Sequence, residues 1–275
     1  MKRINLLPNL ITAFGLACGL FVIFRTLSHA PHITTYQFMQ TSVLLLIVAG
    51  FADVLDGAIA RLMRHESEFG ALFDSLADAI SFGVAPSVLM LKTLSTEQET
   101  PMNFLCIVAA MLYSICGVLR LVRFNVKAHE AQKTASLRDY HKNFSGLPIP
   151  AAAGATVSAN LFLYSPFADS WFSPSDAIRS WVLIGVMVFI GLLMISKVRF
   201  FSLKTFQIRV RSSTLVFFTA VGALFVLYGI LHFFSIFVLA FAWLYVLLGC
   251  ILTIIRLIAG SKSKALKDFE PEDLE

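Results

Sequence analysis

Four aspartates, Asp53, Asp56, Asp74 and Asp78, fall within the 26 residues DVLDGAIARLMRHESEFGALFDSLAD of a chain that is otherwise strongly apolar. On a helix, residues three and four apart share a face. Asp53, Asp56, Gly57 and Ala60 therefore project from one side of one segment, with Arg61 a little round from them. Asp74 and Asp78 lie on a second stripe that begins at Gly70 and extends to Ser81. The intervening RLMRHESEF is short enough for a hairpin that lets the stripes face each other. Carboxylates are hard oxygen donors, and four of them suit divalent cations of the Mg²⁺, Mn²⁺ or Ca²⁺ kind, with room for two. Paired cations serve phosphoryl chemistry because they stabilise attacking and leaving oxygens together. Gly57 and Gly70 each cost roughly 1 kcal/mol relative to alanine inside a helix, which is easier to explain if something approaches the backbone closely.

Those stripes need elements to carry them. Hydrophobic residues make up 57% of the 275 and charged residues 14%, far from the composition of a soluble domain of this length. The bilayer is the expected solvent. Apolar runs near the ~20 residues needed to cross the hydrocarbon core recur at about 8–27, 36–60, 70–91, 102–122, 148–165, 180–196, 214–232 and 235–255. The expected fold is an all-α integral membrane protein with about eight transmembrane helices. Of the 17 acids, only these four fall inside the segments. An ionised carboxylate in hydrocarbon costs several kcal/mol, so four must be compensated. Arg61 can offset one; beyond that, either some aspartates are protonated or cations are bound.

Lysines and arginines orient the chain. Under the eight-helix reading, 19 fall on one side and three, Arg25, Lys92 and Arg179, on the other. Positive loops stay in the cytoplasm, which puts both termini there and agrees with an even number of crossings. The net charge of +5 then faces anionic headgroups, so the basic balance points to membrane lipids and requires no nucleic acid. The first segment reads as a retained helix rather than a cleaved signal peptide. Pro8 and Asn9 interrupt the join of its basic and apolar parts, and no Ala-x-Ala site follows. Cys18, Cys106, Cys116 and Cys250 lie singly in apolar segments without metal or redox spacing and read as packing residues. The polar stretch 127–146 reads as a short surface helix or a substrate-covering loop, and the last two segments as scaffold or an oligomer surface.

The acidic stretch has the form D-x2-D-G-x2-A-R-x8-G-x3-D-x3-D, with Asp53, Asp56, Gly57, Ala60, Arg61, Gly70, Asp74 and Asp78 filling every defined position. It resembles the signature of the CDP-alcohol phosphatidyltransferases. The resemblance implies a membrane-embedded six-helix core, residues 1–196, that binds a CDP-linked lipid or alcohol. The core would transfer the phospho-group to an acceptor hydroxyl and release CMP. Residues 197–260 would add two helices, and 261–275 a cytoplasmic tail. The resemblance also implies that Asp53, Asp56, Asp74 and Asp78 hold two divalent cations, with Asp78 in addition the catalytic base. Gly57, Ala60 and Gly70 would let the nucleotide lie against the helices, and Arg61 would face its phosphates. A homodimer is expected on the same ground.

PNLIT at 8–12, DSLADAISFGVAP at 74–86, GVLRLVRFN at 117–125 and FSGLPIPAAA at 144–153 are similar to the membrane-embedded branch of that family that makes phosphatidylserine. This implies CDP-diacylglycerol and L-serine as substrates, at the cytoplasmic face of the inner membrane. The spacing H-x-K-x4-D of phospholipase-D-like enzymes does not occur, so a phosphohistidine route is not expected.

Arg120, Arg123 and Asn125 close the fourth segment. Arginines in that place anchor topology, and one of the two could also grip a serine carboxylate through a bidentate contact. Asn9 and Thr12, one turn apart, either meet the cytosine or diphosphate or act as a cap and a helix-packing pair. Ser81, on the acidic stripe, is an acceptor-pocket candidate, and Lys142, Ser145 and Pro148 belong to a loop that could close over the substrates. Two alternatives stand beside this reading. One is the same transfer to glycerol 3-phosphate, inositol phosphate or choline, where a phosphorylated acceptor would want a further basic cluster. The other is a cation transporter that uses the four acids as its transport site. Paired glycines and Arg61 fit a nucleotide better than a bare ion.

Overall fold

The computed structural model describes residues 6–28, 35–62, 68–94, 101–134, 146–196, 198 and 233–259. All its regular elements are helical: α1 (Leu6–Leu27), α2 (Thr35–Leu62), α3 (Glu68–Asp78), a π-helical turn (Ala79–Val84), α4 (Ala85–Thr93), α5 (Pro101–Thr134), α6 (Ile149–Leu163), α7 (Pro166–Trp171), α8 (Asp176–Ile195) and α9 (Phe234–Ala259). Among the described residues, six stretches are long and apolar enough to cross a bilayer: Leu7–Leu27, Thr35–Ala60, Phe69–Thr93, Pro101–Val126, Asp176–Ile195 and Phe234–Ile255. The chain is thus an integral membrane protein. The expected crossing at 148–165 appears as α6, apolar but only 15 residues long. Its length of about 22 Å falls short of the ~30 Å hydrocarbon core. The expected crossing at 214–232 lies outside the described residues.

Burial follows membrane rather than aqueous logic. Phe14, Phe21 and Phe24 of α1 and Phe241, Leu244 and Ile251 of α9 point outward, whereas Ser42, Ser87, Ser158 and Asn160 are buried. Lipid tails accept large apolar side chains, so helix interfaces gain most from small residues that allow close approach and from hydroxyls that bond across helices. α6 is the clearest case. Ala152, Ala153, Ala155 and Ala159 are buried, and the helix packs against α2, α4, α8, α9 and the π turn.

The segment expected as one helix over 70–91 is interrupted by the π turn, and Pro86 gives the physical reason. Proline has no N–H to donate to the carbonyl four residues earlier, here that of Phe82. Ala85 N–H instead reaches back to Ile80 O, and the Tyr113 hydroxyl donates to Phe82 O at 3.1 Å. Ser114 Oγ donates to Gly83 O at 3.0 Å. The irregular backbone is therefore satisfied by α5, as hydrocarbon burial demands.

At one end of the bundle, the chain entering α6 is tied to the end of α8. Gly146 adopts φ 99°, and a Cβ there would collide with Met194 O, so glycine is required. Its N–H donates to Val198 O at 2.8 Å, and Leu147 N–H to Leu193 O at 3.1 Å. At the opposite end, Arg179 of α8 pairs with Asp169 of α7 at 2.5 Å and lies over the Tyr164 ring. The Tyr164 hydroxyl donates to Thr93 O of α4 at 2.6 Å.

Candidate active site

The four aspartates come from two helices by the spacings that made them stripes: Asp53 and Asp56 from α2, Asp74 and Asp78 from α3. α2 and α3 both pack on α1, which supplies a third wall that the two-stripe hairpin does not contain. All four aspartates line one cleft of about 210 Å³, mouth included, together with Thr12, Gly15 and Leu16 of α1, Ala49 of α2, Ala77 of α3, and Ser81 and Phe82 of the π turn. Carboxylate oxygens of Asp53, Asp56 and Asp74 lie within 4.8 Å of one another. Asp78 lines the cleft one helical turn beyond Asp74 and interacts electrostatically with the other three.

Such an array is unfavourable unless something positive enters it. No described basic residue lines the cleft, and three carboxylates at this separation repel one another in a low dielectric. The donor set consists of hard oxygens and the carboxylates already converge, so the residues fit a divalent cation of the Mg²⁺, Mn²⁺ or Ca²⁺ class.

Thr12 has a definite partner here. Its hydroxyl donates to Asp56 Oδ2 at 2.5 Å, and Asp56 is only 4% exposed. The Thr–Asp bond orients a carboxylate from behind, the arrangement that fixes ligands in metal sites. Asn9, one turn earlier on α1, has its Nδ2 buried without a hydrogen-bond partner among the described residues. Ser81 is buried, with Oγ 3.4 Å from Gly15 O. A Cβ on Gly19 would overlap Ser81, so glycine at that position lets the π turn sit directly on α1.

The residues at the end of α5 separate into different surroundings. Arg120 is half-buried and interacts with the charge of Asp78. Arg123 instead donates from Nη1 to Ile195 O at 3.1 Å, satisfying a carbonyl at the C-terminus of α8. Asn125 exchanges hydrogen bonds with Ser75 of α3, Nδ2 donating to Oγ at 3.0 Å, which pins α5 beside Asp74. Gly57, Ala60 and Gly70 are half-buried on α2 and α3, outside the lining of the cleft. Arg61 lies in the last turn of α2, and its side chain is outside the described residues. So are Lys142 and Ser145, while Pro148 caps the start of α6.

A family model described as CDP-alcohol phosphatidyltransferase matches residues 5–192, a region that holds every one of these side chains. The chain belongs to the CDP-alcohol phosphatidyltransferase family. Several members that it resembles are named CDP-diacylglycerol–serine O-phosphatidyltransferase. That of Mycobacterium leprae is 34% identical over 180 residues, 66% of this chain and 54% of the relative. That of Helicobacter pylori is 31% identical over 239 residues, 84% of this chain and 89% of the relative. That of Bacillus subtilis is 35% identical over 162 residues, 59% and 78% respectively. The chain spans little more than half the length of the mycobacterial phosphatidyltransferases it matches. α9 lies beyond the matched family region.

Within this family frame, the roles of Thr12, Arg123 and Asn125 were not legible in the chain itself. Each partner lies 44 or more residues away. A local signal existed only for the π turn, in Pro86.

Proposed function

We propose that this phosphatidyltransferase converts CDP-diacylglycerol and L-serine to phosphatidylserine and CMP. The observation that carries the reading is the convergence of four carboxylates on one cleft, beside an arginine that does not line it. The names of the relatives supply the donor and acceptor. Asp53, Asp56, Asp74 and Asp78 would hold two divalent cations, Mg²⁺ or Mn²⁺ before Ca²⁺. When bound, these offset the diphosphate charge and stabilise the departing CMP oxygen.

The chain's own residues do the rest. Asp78 accepts the proton of the serine hydroxyl as its oxygen bonds to the lipid-linked phosphorus. The bond from that phosphorus to the bridging oxygen breaks, and the electron pair leaves with CMP. Thr12 keeps the Asp56 carboxylate in register. Asn9, whose Nδ2 has no hydrogen-bond partner among the described residues, offers a donor one turn from Thr12, suited to an oxygen of the nucleotide. Gly57, Ala60 and Gly70 leave the helix surface low enough for the nucleotide, and Arg61 meets its phosphates. Arg120 binds the serine carboxylate as a two-pronged donor, with Ser81 lining the acceptor side.

In this reading, residues 1–196 form a six-helix core, 197–260 add two helices, and 261–275 form a tail. The count of eight crossings follows the apolar runs of the sequence, the cytoplasmic side of both termini and of the site follows its charge distribution, and the inner membrane as location follows the family resemblance. A homodimer follows the family resemblance. The test is an acceptor screen on purified enzyme with CDP-diacylglycerol, recording CMP release with serine, glycerol 3-phosphate, inositol phosphate and choline in parallel. CMP release with serine above the others supports the reading, and release with another acceptor alone refutes it.

A further inference from the structure

Asp78 is the last residue before the π turn, and Ser81 and Phe82 within the turn line the same cleft. The turn is therefore part of the wall of the site. Ala85 N–H reaches Ile80 O, five residues back, so the turn holds one residue more than an α-helical turn does. An α-helix advances about 100° per residue, and the extra residue offsets α3 from α4 by about that angle relative to an unbroken helix. Insertions of this kind recur at functional sites. α4 cannot absorb the offset, because Ala85, Leu89 and Met90 are fully buried and the helix packs against α1, α5 and α6. α3 is held less tightly. Its Phe69, Leu72 and Leu76 are exposed, on the side away from Asp74 and Asp78.

The irregular turn persists because two residues act on one carbonyl. Pro86 has no N–H for Phe82 O, and the fully buried Tyr113 donates its hydroxyl to that carbonyl at 3.1 Å. Beside it, Ser114 Oγ donates to Gly83 O at 3.0 Å and lies 2.8 Å from Ser87 Oγ. Proline prevents the α-helical bond, and α5 supplies the substitute. We infer that Pro86 and Tyr113 are positioning residues for the reaction: together they fix the phase of α3 that turns Asp74 and Asp78 toward Asp53 and Asp56. With neither in place, the run closes into a continuous α-helix and the acidic stripe rotates off the cleft. The inference rests on the reading that this cleft is the catalytic site. It gives the break directly after Asp78 a purpose.

The experiment uses the full-length enzyme in detergent. CMP release is titrated with Mn²⁺, and the thermal midpoint of each variant is measured. Pro86→Ala restores an N–H at position 86, so in combination with Tyr113→Phe it replaces the lost hydroxyl as donor to Phe82 O. The double variant is expected to be at least as stable as Tyr113→Phe alone. Its turnover nevertheless falls about 10²-fold, the scale of a misplaced catalytic group, and its half-maximal Mn²⁺ concentration rises about tenfold. Pro86→Ala alone shifts both in the same direction, with a thermal midpoint no lower than the wild type. A merely structural role does not give a repaired helix together with a lost activity. Ser158→Ala removes a buried hydroxyl bonded to Ala155 O of its own helix at 3.0 Å, and it leaves turnover per folded enzyme and the Mn²⁺ midpoint unchanged. Wild-type turnover and Mn²⁺ midpoint in the double variant, recovery of activity along with stability when Pro86→Ala is added to Tyr113→Phe, or an equal loss in Ser158→Ala each overturns the proposal. Where the double variant does not fold, Pro86→Ala decides by the same readings. If the wild type stays active in chelator or uses an acceptor other than serine, the metal or the serine reading fails by itself. Turnover with the acceptor that works still decides the role of the π turn.

Discussion

The Thr12 hydroxyl donates to Asp56 Oδ2 at 2.5 Å and so joins α1 to the acidic face of α2. Pro8 O also lies 3.1 Å from that hydroxyl, but a hydroxyl has one proton to give, and an ionised carboxylate takes it. Thr12→Val is expected to raise the Mg²⁺ or Mn²⁺ concentration for half-maximal CMP release by about 10- to 100-fold, the usual effect of losing an outer partner of a metal ligand. Turnover at saturating metal recovers, and Thr12→Ser behaves as the wild type. A metal titration of activity checks this; an unshifted midpoint in Thr12→Val refutes it.

Removal of divalent ions with excess chelator abolishes CMP release, and readdition of Mg²⁺ or Mn²⁺ restores it. Full activity in chelator would end the metal-site reading. Asp78→Asn keeps the shape of the side chain and loses its basicity, so turnover falls by about 10²- to 10⁴-fold while CDP-diacylglycerol still binds. Wild-type turnover in Asp78→Asn would remove it as the base.

Arg120 and Arg123 are one turn apart, yet their surroundings differ. Arg120→Lys replaces a planar fork by a point charge, and KM for serine rises by about tenfold, as for a lost charged hydrogen bond. Arg123→Ala leaves KM for serine unchanged and lowers stability by about 0.5–1.5 kcal/mol, because Ile195 O at the end of α8 loses its donor. Kinetics and thermal denaturation of the two variants side by side separate these outcomes.

The π turn depends on close contact from two sides. Tyr113→Phe leaves the Phe82 carbonyl without its donor and is expected to cost about 1–3 kcal/mol, the penalty for an unsatisfied buried acceptor. Gly19→Ala places a methyl group against Ser81 and costs about 1–3 kcal/mol through overpacking. Thermal midpoints in detergent measure both. A Gly19→Ala protein as stable as the wild type would show that α1 and the π turn separate without penalty.

Local spacing made part of the site readable. Asp53 with Asp56 and Asp74 with Asp78 are three and four residues apart, so helical geometry alone puts each pair on one face. The bundle then brings oxygens of Asp53, Asp56 and Asp74 within 4.8 Å. The break after Asp78 was carried in the sequence by Pro86, but its significance depends on Tyr113 being there to satisfy the freed carbonyl. Ser75 and Asn125 form a reciprocal pair across 50 residues, which neither local stretch announces.

By itself, the sequence determined a membrane-spanning helical chain and two acidic stripes, because hydropathy and the 3.6-residue period act within one helix. Tertiary structure alone decided that α1 forms the third wall of the cleft and that Thr12 serves Asp56. It also decided that Arg123 donates to the Ile195 carbonyl whereas Arg120 is half-buried without that partner, and that α9 reaches the interior. Those outcomes depend on how helices far apart in sequence pack side by side, with 44 residues between Thr12 and Asp56 and 72 between Arg123 and Ile195. In a lipid solvent that lateral packing is set by small residues and interhelical hydrogen bonds, which have no period that a linear reading can follow.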